Sequence, residues 1–260
     1  MRYFRIFLLH MQEVVEQRGR VFVWLLIAFF TPAILILFWR GAKEIGGWTI
    51  PEITSYYLFI IVMNAMLMSH QEEHIARIDI QEGQLTGYLV RPFSYFWLTF
   101  FRELPWRLLQ GGLGISALFV LWIFLPNWFT ITTSPLILVG TVLICILAFF
   151  LTFLFKSIIG ILAFWMTDTR GLFEMTNVML VVFTGSLMPL AFYPQWLMHL
   201  IHYTPFSYML YFPVISLQGK VPFTEMTQGM LMQVVWIAAG IFVYRALWRA
   251  GLQKYTTVGQ

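Results

Sequence analysis

The sequence predicts an all-α protein with six helices that cross a membrane. The chain has 260 residues, of which 60% are hydrophobic and 11% are charged, and its mean hydropathy is +0.77. This composition lies far outside the range of soluble proteins. The apolar residues also fall in runs close to the roughly 20 residues that a helix needs to cross a bilayer. We therefore expect one transmembrane domain over residues 1–260, surrounded by membrane lipid.

The first forty residues predict a surface helix followed by a span. In residues 1–20, apolar side chains recur at helical spacing between charged ones, which indicates an amphipathic helix lying at the membrane interface. Val21 to Trp39 is the first apolar run. It is too long for a signal-peptide core and lacks a small-x-small cleavage pattern, so we expect a retained span.

The other spans follow from the apolar runs between polar breaks. The predicted ranges are 52–69, 108–125, 136–165, 172–190 and 226–244. The fourth span is longer than a straight crossing requires. It is expected to tilt, to bend near Gly160, or to leave the bilayer with Lys156 reaching the headgroups.

Prolines divide residues 191–224 into pieces too short to cross a membrane. Irregular apolar backbone of this kind belongs at an interface or inside protein. We expect an external hairpin of short helices here, re-entrant or interfacial.

The distribution of the 16 lysines and arginines predicts the topology. Six spans place both termini on one side, and thirteen of the basic residues fall on that side, against three on the other: Arg40, Lys43 and Lys220. Because basic residues collect in cytoplasmic loops, both termini and the loop 70–107 are predicted to be cytoplasmic.

The acidic segment, Gln71 to Pro92, is the most patterned part of that loop. Its apolar residues are spaced for two short helices with a break at Glu82-Gly83, and Pro92 disfavours helix in the residue before it. Residues 71–90 contain four acids and one arginine. One interpretation is a helix resting on the inner leaflet, but the negative potential of that leaflet repels an acidic segment. The alternative is an element that docks in the groove of a basic cytoplasmic partner.

A family resemblance supports the second interpretation. The pattern I..G.L..YL.RP, starting at Ile80, resembles the cytoplasmic loop of bacterial ABC transporter permeases of the type-2 exporter (ABC-2) family, closest to its uncharacterised-permease subfamily. The stretch AFWMTDTRGL, residues 163–172, and residues 184–213 are similar to the fifth span and external hairpin of that subfamily. The similarity follows nearly the whole chain in order and spacing.

The resemblance implies a permease subunit of an ATP-driven exporter in the bacterial plasma (inner) membrane. The loop after the second span would be a coupling helix inserted into ABC ATPase subunits, and a second permease copy or a sister permease would complete the translocation path. The implied ATPase-coupling residues are Glu72, Glu73, Arg77, Glu82, Gly83, Leu85, Tyr88, Leu89, Arg91 and Pro92.

The residues themselves predict no cofactor, no metal and no nucleic-acid partner. No phosphate-binding loop G-x-x-x-x-G-K-[ST] is present, so ATP and Mg²⁺ are expected on a partner ATPase and the chain is not expected to be an enzyme. Asp168, Arg170 and Glu174 are interpreted as a cytoplasmic turn rather than an intramembrane site. His199 and His202 are three apart but lack a third ligand, so packing is favoured over a metal.

Two other functions remain open on the sequence. An ion-coupled secondary transporter normally carries carboxylates or histidines within its spans, and an intramembrane enzyme needs a convergent catalytic set. The spans instead hold Asn64, Thr152 and Gln233, without an expected buried ion pair. A path with this lining favours a hydrophobic or amphipathic cargo over a hydrated ion.

Overall fold

The computed structural model describes residues 2–16 and 44–258, with the isolated positions 19, 23, 30, 33, 34 and 37 between them. Apart from those positions, the predicted first span, Val21–Trp39, lies outside the described residues. The helices are α1 (Arg2–Glu16), α2 (Ile50–Leu67), α3 (Leu85–Leu89), α4 (Tyr95–Phe124), α5 (Pro135–Ile161), α6 (Arg170–Phe183), α7 (Gln195–His202), α8 (Phe206–Met209), α9 (Tyr211–Leu217) and α10 (Phe223–Val258). A π-helix at His74–Gln81 and 3₁₀ turns at Pro126–Trp128, Leu162–Phe164 and Leu190–Phe192 complete the helical structure of this part.

The described residues contain one small antiparallel hairpin of β1 (Glu44–Ile45) and β2 (Trp48–Thr49). It leads directly into α2. The Glu52 carboxylate accepts hydrogen bonds from the backbone N–H and the hydroxyl of Thr49, at 2.7 and 2.9 Å. These bonds satisfy groups that the first turn of a helix leaves open, and so they fix where α2 begins.

Four described helices are long and apolar enough to cross a membrane. They are Ile50–Leu67, Tyr95–Phe124, Pro135–Phe164 and Phe223–Tyr255. These segments cover the predicted second, third, fourth and sixth spans. The chain is therefore a multi-pass membrane protein, built on an all-helical plan.

Two of these helices exceed their predicted ranges. Helix α4 begins at Tyr95 rather than Leu108, and α10 continues to Val258 rather than ending at Tyr244. In α4, the charges that suggested a loop are paired with neighbouring residues, which allows the helix to include them. In α10, 36 residues give a helix of about 54 Å, well beyond the ~30 Å hydrocarbon core.

The predicted fifth span is shorter than expected. Helix α6 has 14 residues, or about 21 Å, which is too short to cross the hydrocarbon core as a straight helix. It ends before Gly185, whose φ is +81°. A glycine in this left-handed conformation is a common helix terminator.

The helices pack as pairs around three apolar clusters. Helix α5 packs along α10, and α4 packs against both α1 and α2. At the contact of α1 with α4, the rings of Tyr3 and Phe101 stack with centroids 5.5 Å apart. Phe4 and Leu9 of α1 are each 61% exposed.

Candidate functional site

The acidic segment folds as two short helices, as its spacing predicts. The π-helix His74–Gln81 comes first and α3 follows at Leu85–Leu89. Between them Gly83 has a φ of +82°, a conformation that glycine adopts without a steric penalty. Gly83 therefore separates the two helices and sets the direction of the second.

One face of the acidic segment is packed inside the protein. Ile75 and Leu85 are 1% and 0% exposed, and they share an apolar cluster with Tyr95 of α4 and Trp248 of α10. The rings of Tyr95 and Trp248 stack with centroids 4.8 Å apart. Leu85, which the resemblance implied as a coupling residue, thus anchors the segment from within.

Helix α5 lies against the acidic segment at Gly160. A Cβ at this position would lie 2.9 Å from the Cβ of Ile75 and 3.1 Å from the carbonyl oxygen of Glu72. These distances leave no room for a side chain. Glycine at this position therefore permits the close contact between the segment and α5.

A buried ion pair joins the same two elements. Lys156 Nζ of α5 lies 2.5 Å from Glu72 Oε1, and the side chains are 2% and 7% exposed. The ammonium also donates to Asn177 Oδ1 of α6 at 3.0 Å. One residue before Glu72, Gln71 donates to Ser157 Oγ at 2.9 Å.

Two sequence expectations are wrong at this point. Lys156 does not reach toward the headgroups, and the spans are not without a buried ion pair. An ammonium at this depth is expensive unless it is paired, and the acidic segment brings Glu72 to it. Glu72, also implied as a coupling residue, directs its carboxylate into the protein rather than toward a partner.

A second polar cluster centres on Asp79, which is 0% exposed. Its Oδ2 accepts hydrogen bonds from Tyr95 Oη at 2.5 Å and from Arg102 Nη2 at 3.2 Å. His74 Nε2 lies 3.6 Å from Oδ1. Burial and the Arg102 guanidinium lower the pKa of His74, so its ring is neutral near pH 7. The cluster ties the π-helix to the first turns of α4.

A third cluster surrounds Arg107 of α4, which is 4% exposed. Its guanidinium donates to Glu103 Oε1 at 2.6 Å, to Gln110 Oε1 at 3.0 Å and to the carbonyl oxygen of Ala65 at 3.1 Å. Nη2 also lies 3.0 Å from His70 Nδ1. Burial and the adjacent Arg107 lower the pKa of His70 to about 4, and the neutral ring accepts a hydrogen bond.

The other face of the acidic segment is exposed. Glu73 and Arg77 lie 3.5 Å apart with side chains 69% and 62% exposed, and Glu82 is 3.7 Å from Arg77. Leu89 is 42% exposed and Val90 is 84% exposed. The exposed face thus combines charged residues with an apolar tip formed by Leu89 and Val90, and Val90 is the more exposed of the two although the motif did not single it out.

The implied coupling residues divide by burial. Glu72 and Leu85 are buried, Gly83 and Tyr88 are half-buried, and Glu73, Arg77, Glu82, Leu89, Arg91 and Pro92 are exposed. The Arg91 guanidinium lies 5.8 Å from the centre of the Tyr88 ring.

Sequence analysis missed the residues that hold the segment from inside: Asp79, Tyr95, Arg102 and Lys156. A signal existed for one of them, because Lys156 stands alone in a 27-residue apolar helix and requires a carboxylate partner. Spacing along the chain does not reveal that Glu72, 84 residues earlier, is that partner.

The other candidate residues lie at positions 168–174 and 199–202. They form no catalytic or metal centre among the described residues. Asp168 Oδ1 accepts a hydrogen bond from the backbone N–H of Arg170 at 3.0 Å, within the turn before α6. His199 and His202 lie on α7. Among the described residues, no group of three or more His, Cys, Asp or Glu is placed to hold a metal.

A half-open cavity of about 740 Å³ lies between α2, α4 and α5. Its walls are almost entirely apolar and include Phe59, Met63, Phe100, Phe119 and Phe149. Arg107 also lines the cavity, but its donors are used within the protein. This lining suits apolar groups and provides little for a hydrated ion.

Comparison with known protein families gives a match. A family model described as "ABC-2 family transporter protein" matches residues 22–259, which is nearly the whole chain. The search of curated proteins found no match.

Proposed function

Because the chain belongs to the ABC-2 family of transporter proteins, we propose that it is the membrane-spanning permease subunit of an ATP-driven exporter. Residues 22–259 match that family, and the fold is a multi-pass helical membrane domain. A separate ABC ATPase would bind ATP and Mg²⁺ and drive alternating access of the permease. The chain itself would act as a transport subunit rather than an enzyme.

The geometry of the acidic segment is the main observation that supports this proposal. Its inner face is bonded to α4 and α5, whereas Glu73, Arg77, Glu82 and Val90 face outward. A short, firmly held helix with an acidic rim and an apolar tip suits a groove on a basic protein surface. We infer that the exposed face docks in the ATPase and that the buried residues hold it in position.

Charge supports a cytoplasmic position for this face. Arg102, Arg107 and Lys156 all bond to residues of the loop 70–107, whereas Lys220 bonds to Glu52 beside the β-hairpin. By the positive-inside rule the acidic segment and both termini would be cytoplasmic, in the inner membrane of a bacterium.

The cargo we propose is hydrophobic or amphipathic. The cavity between α2, α4 and α5 offers aromatic and aliphatic surface, which cannot offset the desolvation of a small ion. A path between two copies, or between this chain and a sister permease, would extend such a surface. Homodimer and heterodimer are both compatible with this proposal.

The test is reconstitution with a candidate ABC ATPase from a neighbouring reading frame, the neighbouring-frame ATPase. We expect the two proteins to purify together, and we expect vesicles holding both to move a fluorescent amphipathic lipid in the presence of ATP. A Walker-motif variant of the ATPase is the control for ATP dependence.

Movement driven by an ion gradient without any ATPase would instead support a secondary transporter. Conversion of a lipid without its movement would support an intramembrane enzyme. Either result would contradict the proposed function.

A further inference from the structure

Lys156 is bonded to two elements at once. Its ammonium contacts Glu72 of the acidic segment at 2.5 Å and Asn177 of α6 at 3.0 Å. Helix α5 therefore supplies one side chain that connects the segment to α6. If the segment is displaced, Lys156 has to follow it or lose a buried carboxylate.

The same turn of α5 makes two further contacts with the start of the segment. Ser157 accepts a hydrogen bond from Gln71 at 2.9 Å, and Gly160 lies against Ile75. Residue 160 follows residues 156 and 157 by four and three positions, so all three lie within about one turn on the side of α5 that meets the segment. Residues 71–75 are thus held at three points over a single helical turn.

The ion pair is not fully satisfied. Glu72 Oε2 is buried and has no hydrogen-bond partner among the described residues. Burying a carboxylate and an ammonium costs free energy that their attraction barely offsets, so the pair is weak evidence for a purely stabilising role.

We propose that Lys156 is a positioning residue that transmits movement of the acidic segment, through Asn177, to helix α6. The inference rests on the proposed function, because the ATPase supplies the movement. It assigns the transmission to one ammonium with two acceptors, Glu72 on the input side and Asn177 on the output side.

The experiment measures whether helix α6 moves when ATP binds to the complex of this chain with the neighbouring-frame ATPase. Cys145, the only cysteine, is replaced by alanine and a spin label is attached at Val181→Cys, a position of α6 that is 45% exposed. Label-to-label distances or label mobility are measured in lipid nanodiscs with and without ATP and vanadate. ATP hydrolysis and complex assembly are measured on the same samples.

The key variant is Asn177→Leu, which cuts the output bond without touching the acidic segment. Asn177 lies on an exposed part of α6, so the substitution does not disturb the core. We expect the complex to assemble and hydrolyse ATP while the ATP-dependent change at position 181 is lost. Glu72→Gln, which removes the charge on the input side, is expected to lose it as well.

The matched control is Glu174→Gln, one turn away on the exposed surface of α6. This variant should keep the full change at position 181. Rescue by the exchanged pair Glu72→Lys with Lys156→Glu would further support an electrostatic link.

An ATP-dependent change at position 181 that is unaltered in Asn177→Leu would overturn the inference and leave the proposed function intact. A wild-type complex that hydrolyses ATP without any change at position 181 would also overturn the inference and leave the proposed function intact. Failure of the wild-type chain to bind the ATPase at all would overturn both.

Discussion

The two ends of the helix bundle are held together by different chemistry. At the end with the acidic segment, three ion pairs have both partners mostly buried: Glu72–Lys156, Asp79–Arg102 and Glu103–Arg107. At the end with the β-hairpin and residues 184–222, neutral hydroxyl groups predominate. There, Tyr56, Tyr57 and Tyr193 donate to the backbone carbonyls of Gly185, Leu187 and Val182.

The β-hairpin end does contain one ion pair, which is more accessible to solvent. Lys220 Nζ lies 2.5 Å from Glu52 Oε1 with side chains 24% and 25% exposed, and it also lies 4.0 Å from the centre of the Trp48 ring. The tyrosine hydroxyls satisfy carbonyls left open where α6 ends and its following turn begins.

The comparison indicates that the two ends meet different requirements. Neutral bonds to backbone carbonyls fix a turn and depend little on what lies outside the protein. Buried charge pairs are worth little as a net contribution to stability, but breaking one is strongly destabilising. The acidic-segment end therefore resists separation of its parts, as the proposed docking of an ATPase at this end would require.

The largest expected effect comes from breaking the buried pair on one side. Lys156→Met leaves the Glu72 carboxylate buried without its cation, and we expect a loss of about 3–5 kcal/mol in the free energy of unfolding. The measurement is equilibrium denaturation in detergent micelles.

The control for this prediction is the double variant Glu72→Met with Lys156→Met, which removes both charges and should recover most of the stability. A single variant as stable as the wild type would show that the buried pair does not hold this end.

The close contact at Gly160 gives the next largest effect. In Gly160→Ala the new methyl group would lie 2.9 Å from Ile75 Cβ, so the segment has to shift, and we expect a loss of about 1–3 kcal/mol. Gly171→Ala is the control, since nothing lies within 4 Å of its Cβ position. Equal stability of the two variants would contradict the close packing of the segment on α5.

The sites at Lys156 and Gly160 also show which parts of the structure can be predicted from the sequence. Hydropathy located four of the long helices, and the Gly83 break and Pro92 defined the two short helices of the segment. The ends of α4 and α10 were missed because a charge within a helix looks like a loop until its partner is known. The partners of Lys156 and Arg102 depend on contacts between distant parts of the chain, which periodicity does not encode.

At the β-hairpin end, Tyr56→Phe should have a smaller effect. It removes the 2.7 Å hydrogen bond to the carbonyl of Gly185 and leaves that buried oxygen unpaired, for a loss of about 1–2 kcal/mol. Tyr203→Phe, at a residue 73% exposed, is the control and should be neutral. A neutral Tyr56→Phe would remove the evidence that hydroxyl groups stabilise this end.

The smallest expected effect is a dependence on pH at the acidic-segment end. His70 has its pKa lowered from 6.5 to about 4, so the unfolded chain takes up a proton that the folded chain does not. The contribution of the neutral His70 ring to the free energy of unfolding is therefore present in full above pH 6.5 and is lost as the pH falls toward 4. Solvent reaches part of His70, so we expect a modest decline.

The measurement is the melting temperature of the wild type and of His70→Gln between pH 7 and pH 5. The wild type should lose more on acidification than the variant does. Identical losses would mean that His70 does not contribute to the pH dependence.

The exposed face of the acidic segment is proposed to bind the ATPase. A photo-crosslinking amino acid placed at Val90, which is 84% exposed, tests it directly in cells that express the neighbouring-frame ATPase. Tyr203, at the β-hairpin end and 73% exposed, is the matched position. We predict a crosslink to the ATPase from position 90 and none from position 203. A crosslink from position 203 with none from position 90 would contradict both the docking face and the orientation of the chain in the membrane.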